Sequence, residues 1–112
     1  MPEKVVQARK NIADAGLETF VEIREGDALQ ALKNLNQTID MVPIDGWAHL
    51  ALDVIELVDP FVRPGGIVVF DNVGTFKDDM KPYVEFLQDP ANGYRSATLP
   101  LRNGTEFSVK VR

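Results

Sequence analysis

Cysteine is absent from this sequence, which excludes a disulfide framework and any zinc–thiolate centre. A Lys/Arg cluster is also missing, and the formal charge is −5, so neither a nucleic-acid nor an anionic-membrane surface is expected. No apolar run approaches the ~20 residues needed to span a bilayer. The opening stretch MPEKVVQARKNIADAG is amphipathic and carries acids, unlike a signal peptide, and a cytoplasmic protein is expected. No Gly-x-Ser-x-Gly elbow occurs, and the only histidine, His49, has no evident serine partner, so Ser-His-Asp chemistry is hard to build. There is no internal repeat, linker or low-complexity segment. At 112 residues, with 45% apolar and 26% charged residues, the chain is expected to form one domain, residues 1–112, with a single core.

What is present is a pair of strand-like runs that end in acids: IDMVPID, residues 39–45, and GIVVFDN, residues 66–72. Continuous apolar runs bounded by turn residues read as strands buried in a parallel sheet. Between them Trp47, Leu50, Ala51, Val54, Leu57 and Val58 form a helical stripe closed by Asp59-Pro60, so the segment is a βαβ unit. Such a unit sets its two parallel strands side by side with their carboxyl ends at one edge. Asp45, Asp71 and Asn72 then gather where open α/β sheets bind ligands. Three hard oxygen donors suit Mg²⁺ or Ca²⁺ rather than a soft metal. The alternative is that strand-end Asp and Asn cap turns or the helices that follow.

Along the rest of the chain, Pro2 and Glu3 open a helix ended by Gly16. FVEIRE, 20–25, alternates as a strand does, Gly26-Asp27 turns, and ALQALKNL continues as a short helix. Arg63-Pro64-Gly65-Gly66 is a turn into strand 66–72. A helix is expected around 77–88, ended by Asp89-Pro90. YRSATLPL and EFSVKVR flank Arg102-Asn103-Gly104, an Asn-Gly hairpin signal. The pattern is αβαβαβαββ, an α/β sheet with an antiparallel hairpin at its edge.

The segments PEKVVQARKNIADAGL, VEIREGDAL, IDMVPIDGWAHLALDVIELV and RPGGIVVFDNVG, in this order, resemble the class I S-adenosylmethionine-dependent O-methyltransferases. Within that class the sequence is most similar to the metal-dependent group that includes catechol and caffeoyl-CoA O-methyltransferases. The resemblance implies a Rossmann-like sheet of order 3-2-1-4-5-7-6, of which this chain supplies the equivalents of strands 3 to 7. It further implies an N-terminally truncated methyltransferase-like domain, without the glycine-rich loop that cradles the cofactor. The only Gly-Gly here, Gly65-Gly66, precedes a strand instead of opening a helix.

The resemblance also assigns roles. Asp45, Asp71 and Asn72 match metal ligands that clamp adjacent oxygens of a catechol-like small-molecule substrate. Asp27 matches the residue that reads the adenine amino group, though a Gly-Asp turn capping the helix from Ala28 explains it equally. Trp47 matches a position lining the cofactor pocket, or serves as a core or interface anchor. The family's general-base lysine falls at Ala48, which cannot accept a proton. His49, next along, has a near-neutral pKa suited to that role. One residue of helix nevertheless rotates a side chain by ~100°, so a solvated histidine is the competing reading.

Pro43 interrupts what would be a central strand, since proline cannot donate to a ladder. Without family strands 1 and 2, strand 3 could slide in beside strand 4 to give the order 3-4-5-7-6. Alternatively, open edges could be exchanged with a second chain, and a homo-oligomer is expected. Competing functions are a methyltransferase acting on a phenolic hydroxyl, a repurposed metal-assisted hydrolase, and a non-catalytic oligomerisation or binding module.

Overall fold

A computed structural model describes every residue of the chain except Trp47 and Asn72. The described residues fall into two compact units, Met1–Lys33 and Asn34–Arg112.

The first unit carries helices α1 (Pro2–Asp14) and α2 (Ala28–Ala31). Pro2 stands in the first turn of α1, where its missing N–H costs nothing. Gly16, at φ 72°, closes the helix: its N–H donates to Ala13 O at 2.9 Å, and Leu17 N–H to Ile12 O at 3.0 Å. Residues 20–25, expected as a strand, join no ladder, and Val21–Glu25 carry no regular secondary structure. Alternation makes a segment suitable for a sheet, but a strand persists only with a partner, and this unit's other elements are helices. One carbonyl there is met by a side chain instead, Arg9 Nη2 donating to Ile23 O at 3.1 Å. The second helix is also shorter than ALQALKNL suggests, closing at Leu32.

The second unit is a sheet with helices on one face. Its strands are β1 (Ile39–Ile44), β2 (Val62–Asp71), β3 (Tyr94–Leu99) and β4 (Thr105–Lys110), in the order β1-β2-β4-β3. Strands β1 and β2 are parallel, and β4 is antiparallel to both β2 and β3. This is a partial Rossmann-like sheet with a C-terminal antiparallel hairpin, and its order matches the 4-5-7-6 part of the order that the resemblance implies. The order 3-4-5-7-6 is not formed among the described residues, and β1 is an edge strand. An edge tolerates Pro43, because half of the strand's amides face away from β2.

Strand β2 starts earlier than expected. Val62 already pairs with Ile39, and the ladder resumes at Met41↔Ile67, so the turn-like Arg63-Pro64-Gly65-Gly66 is a bulge inside the strand. An ion pair from Arg63 Nε to Asp40 Oδ1, 2.6 Å, straps the bulge to β1.

Helices α3 (Ala51–Val58) and α4 (Lys77–Gln88) cover the sheet. Ala51, Ile55 and Val58 are the buried side of α3, at i, i+4 and i+7. Ile55, fully buried, takes the central place that the stripe expected from Val54 and Leu57 does not. Met80, Tyr83 and Leu87 are the buried side of α4, and Val68 and Phe70 are the buried residues at the centre of β2. The Phe70 and Tyr83 rings meet at 5.4 Å between centroids in a tilted pair. Among the described residues no helix is long and apolar enough to cross a membrane.

Candidate functional site

The carboxyl edge of the parallel pair is set by register. Ile44 stands opposite Phe70, the last pair of the β1–β2 ladder. One residue further along each chain come Asp45 and Asp71, in strands that run about 4.8 Å apart. Pro43 and Val69 are paired and share a face, and Asp71, two residues on from Val69 in β2, returns to that face, while Asp45 directly follows the last residue of β1. Asp45 is exposed and Asp71 half-buried.

Asp71 is held from the other side by the hairpin. Thr105, the first residue of β4, is its ladder partner, and the Thr105 hydroxyl donates to Asp71 Oδ1 at 2.9 Å. The loop after β2 is tied to the hairpin turn by two backbone bonds, Val73 N–H to Gly104 O at 3.1 Å and Gly74 N–H to Asn103 O at 2.7 Å. Gly74 is required for this approach: a Cβ there would lie 2.4 Å from Asn103 O. A cavity of about 410 Å³ opens beside this loop, lined by Val73, Gly74, Lys77, Lys81 and Thr98 among others. It is within the size range of small-molecule sites.

The other sequence-derived site residues stand as follows. Asp27 is the N-cap of α2, with Oδ1 accepting from Leu29 N–H at 2.9 Å, so the capping role exists in the structure. His49 is exposed, in a 3₁₀ turn over Ala48–Leu50 that precedes α3. Trp47 and Asn72 lie outside the described residues. Among the described residues no group of three or more His, Asp or Glu side chains gathers as a metal cluster. Asp45 and Asp71 offer two hard carboxylate oxygen donors, a set that would fit Mg²⁺ or Ca²⁺ and would supply only part of its coordination shell.

Thr105 was not legible in the sequence as a site residue. A threonine following an Asn-Gly turn signals a strand start, and its meeting with Asp71 depends on a register set 34 residues apart. A second feature without a sequence signal lies on the helix-covered face. Glu106 is fully buried and accepts from Gln88 Nε2 at 3.0 Å, from Ser96 Oγ at 2.5 Å and from Thr98 Oγ1. Ser108, also buried, meets Ser96 Oγ at 2.6 Å.

Comparisons with known proteins agree with this architecture. Residues 2–73 match the family model described as a methyltransferase domain. A Sulfolobus acidocaldarius protein assigned as a cobalt-precorrin-6B C(15)-methyltransferase (decarboxylating) is 35% identical over 72 residues, covering 64% of this chain and 36% of that protein. A Staphylococcus aureus structure assigned as a caffeoyl-CoA O-methyltransferase superposes with a TM-score of 0.75 at 26% identity, over 92% of this chain and 57% of that one. The tomaymycin-synthesis O-methyltransferase of Streptomyces achromogenes, in complex with S-adenosylmethionine, gives a TM-score of 0.85 at 19% identity, over 100% of this chain and 59% of that one. The chain therefore spans 36% of its curated relative and less than two thirds of these solved neighbours. With the family model matched over residues 2–73, this chain belongs to the methyltransferase-domain family.

Proposed function

We propose that this chain forms the metal and acceptor corner of an O-methyltransferase that uses S-adenosylmethionine and a divalent cation, Mg²⁺ or Ca²⁺, to methylate a small phenolic or catechol-type hydroxyl. The observation that carries the reading is the register that ends the parallel pair at Ile44↔Phe70, with Asp45 and Asp71 the next residues along at its carboxyl edge. Support comes from the O-methyltransferase neighbours, one of them crystallised with S-adenosylmethionine.

In this reading Asp45, Asp71 and Asn72 hold the cation, and water or the acceptor's oxygens complete the shell. A cation bound there lowers the pKa of an acceptor hydroxyl. A cation fixed by these carboxylates would also orient the acceptor, which is where much of the rate gain of a displacement reaction comes from. Asp27 contacts the adenine amino group while its Oδ1 continues to cap α2. Trp47, outside the described residues, keeps the cofactor-side role that the resemblance implies, and His49, exposed beside Ala48, takes the acceptor's proton.

The cofactor site is incomplete within these residues, because no glycine-rich loop opens a helix after a strand. We propose separately that the chain forms a homo-oligomer; a second copy brings no glycine-rich loop, so association alone does not complete the cofactor site. Among the described residues strand β1 has one unpaired edge, and Met41 on it is 54% exposed, both of which favour association. Isothermal titration with S-adenosylmethionine, with and without Mg²⁺, tests the reading. Binding that strengthens with the cation supports it, and absence of heat at millimolar cofactor sinks it.

A further inference from the structure

Asp71 carries its carboxylate on a side chain with two rotatable bonds, and a carboxylate that can spin presents no fixed lone pair to a cation. Three features remove that freedom here. Thr105 stands directly opposite Asp71 in the β2–β4 ladder. Its hydroxyl donates to Asp71 Oδ1 at 2.9 Å, and threonine is stiff at χ1, so the donor itself is oriented. The turn that delivers Thr105 is tied to the loop after Asp71 by Val73 N–H to Gly104 O and Gly74 N–H to Asn103 O, which holds the two partners in register.

We infer that Thr105 is a positioning residue that sets the orientation of the Asp71 carboxylate toward a divalent cation. The inference rests on the reading of Asp45 and Asp71 as cation ligands. The ladder itself does not require a hydroxyl at this position, because valine has the same shape and a good strand propensity. Hydrogen-bond partners of ligating carboxylates commonly change metal affinity 10- to 100-fold when removed.

The test is Mn²⁺ binding followed by electron paramagnetic resonance in the whole chain, comparing wild type with Thr105→Val, Thr105→Ser and Asp71→Ala. The expected result is an affinity about 10- to 100-fold weaker in Thr105→Val, near-native affinity in Thr105→Ser, and loss in Asp71→Ala. Circular dichroism melts of the threonine variants should match wild type, which separates positioning from folding. Native affinity in Thr105→Val, with binding lost in Asp71→Ala, overturns the inference and leaves the cation reading standing. Native affinity in Asp71→Ala, or no binding by wild type, overturns the cation reading and the inference with it.

Discussion

The Tyr94 hydroxyl donates a 2.7 Å hydrogen bond to Asp59 Oδ1, joining the first residue of β3 to the turn that closes α3. Lys110 Nζ completes the set, 2.6 Å from Asp59 O and 3.2 Å from Asp59 Oδ1. Tyr94 is 1% exposed, so its phenol depends on this partner. Tyr94→Phe is expected to cost about 1.5–2 kcal/mol in urea unfolding, the lower part of the range for a hydrogen bond to a charged group. Asp59→Ala should cost more, about 2–3 kcal/mol, because it also leaves the Lys110 ammonium without its carboxylate.

Tyr83 behaves oppositely. Its hydroxyl is buried with no hydrogen-bond partner among the described residues, so Tyr83→Phe removes a desolvated group that gains nothing. The variant is expected to be neutral or more stable by up to about 1 kcal/mol.

Both tyrosines also set the alkaline limit of stability. Burial raises the pKa of Tyr83 well above its ordinary value, with the Glu106 charge adding to it. Burial, followed by the Asp59 hydrogen bond and charge, raises that of Tyr94. The native state therefore keeps its phenolic protons while the unfolded chain loses them above about pH 10. Their contribution is fully present below that pH and is lost as pH rises beyond it, by about 1.4 kcal/mol per unit for each tyrosine. Urea midpoints measured between about pH 8 and pH 11 should be unaffected by the tyrosines up to about pH 10 and fall above it, less steeply in Tyr83→Phe than in wild type.

Glu106 satisfies three donors in the covered face; removing the acceptor takes a partner from each, although Ser96 keeps Ser108 and the exposed Gln88 and Thr98 can turn to solvent. Glu106→Ala is expected to cost about 2–4 kcal/mol. Glu106→Gln keeps one acceptor oxygen and should cost about half as much, a ranking that thermal melts can check.

Gly74→Ala places a methyl against the Asn103 carbonyl, where backbone and not a flexible side chain must yield. A loss of about 1–3 kcal/mol is expected, together with weaker Mg²⁺ binding, since the same loop follows Asp71.

The parallel pair and the hairpin were readable because each has a local signature, an apolar run or an Asn-Gly turn. The strand expected at 20–25 was not formed because alternation reports a segment's faces but not whether a partner is within reach. The start of β2 was misplaced for a related reason. Pro64, Gly65 and Gly66 are turn residues, and here they build a bulge between two paired stretches. In β4 the alternation is inverted: Glu106 and Ser108 are buried while Phe107 is 37% exposed, because serine and threonine hydroxyls on β3 satisfy the carboxylate. The acid-tipped edge was legible from strand order alone. The hydroxyl that grips Asp71 was not, because a cross-strand contact depends on register.

The most direct test of the account is calorimetric titration of Mg²⁺ into wild type, Asp45→Ala and Asp71→Ala. The account predicts binding in wild type that is lost in each variant. Heat that persists unchanged in both variants would contradict it.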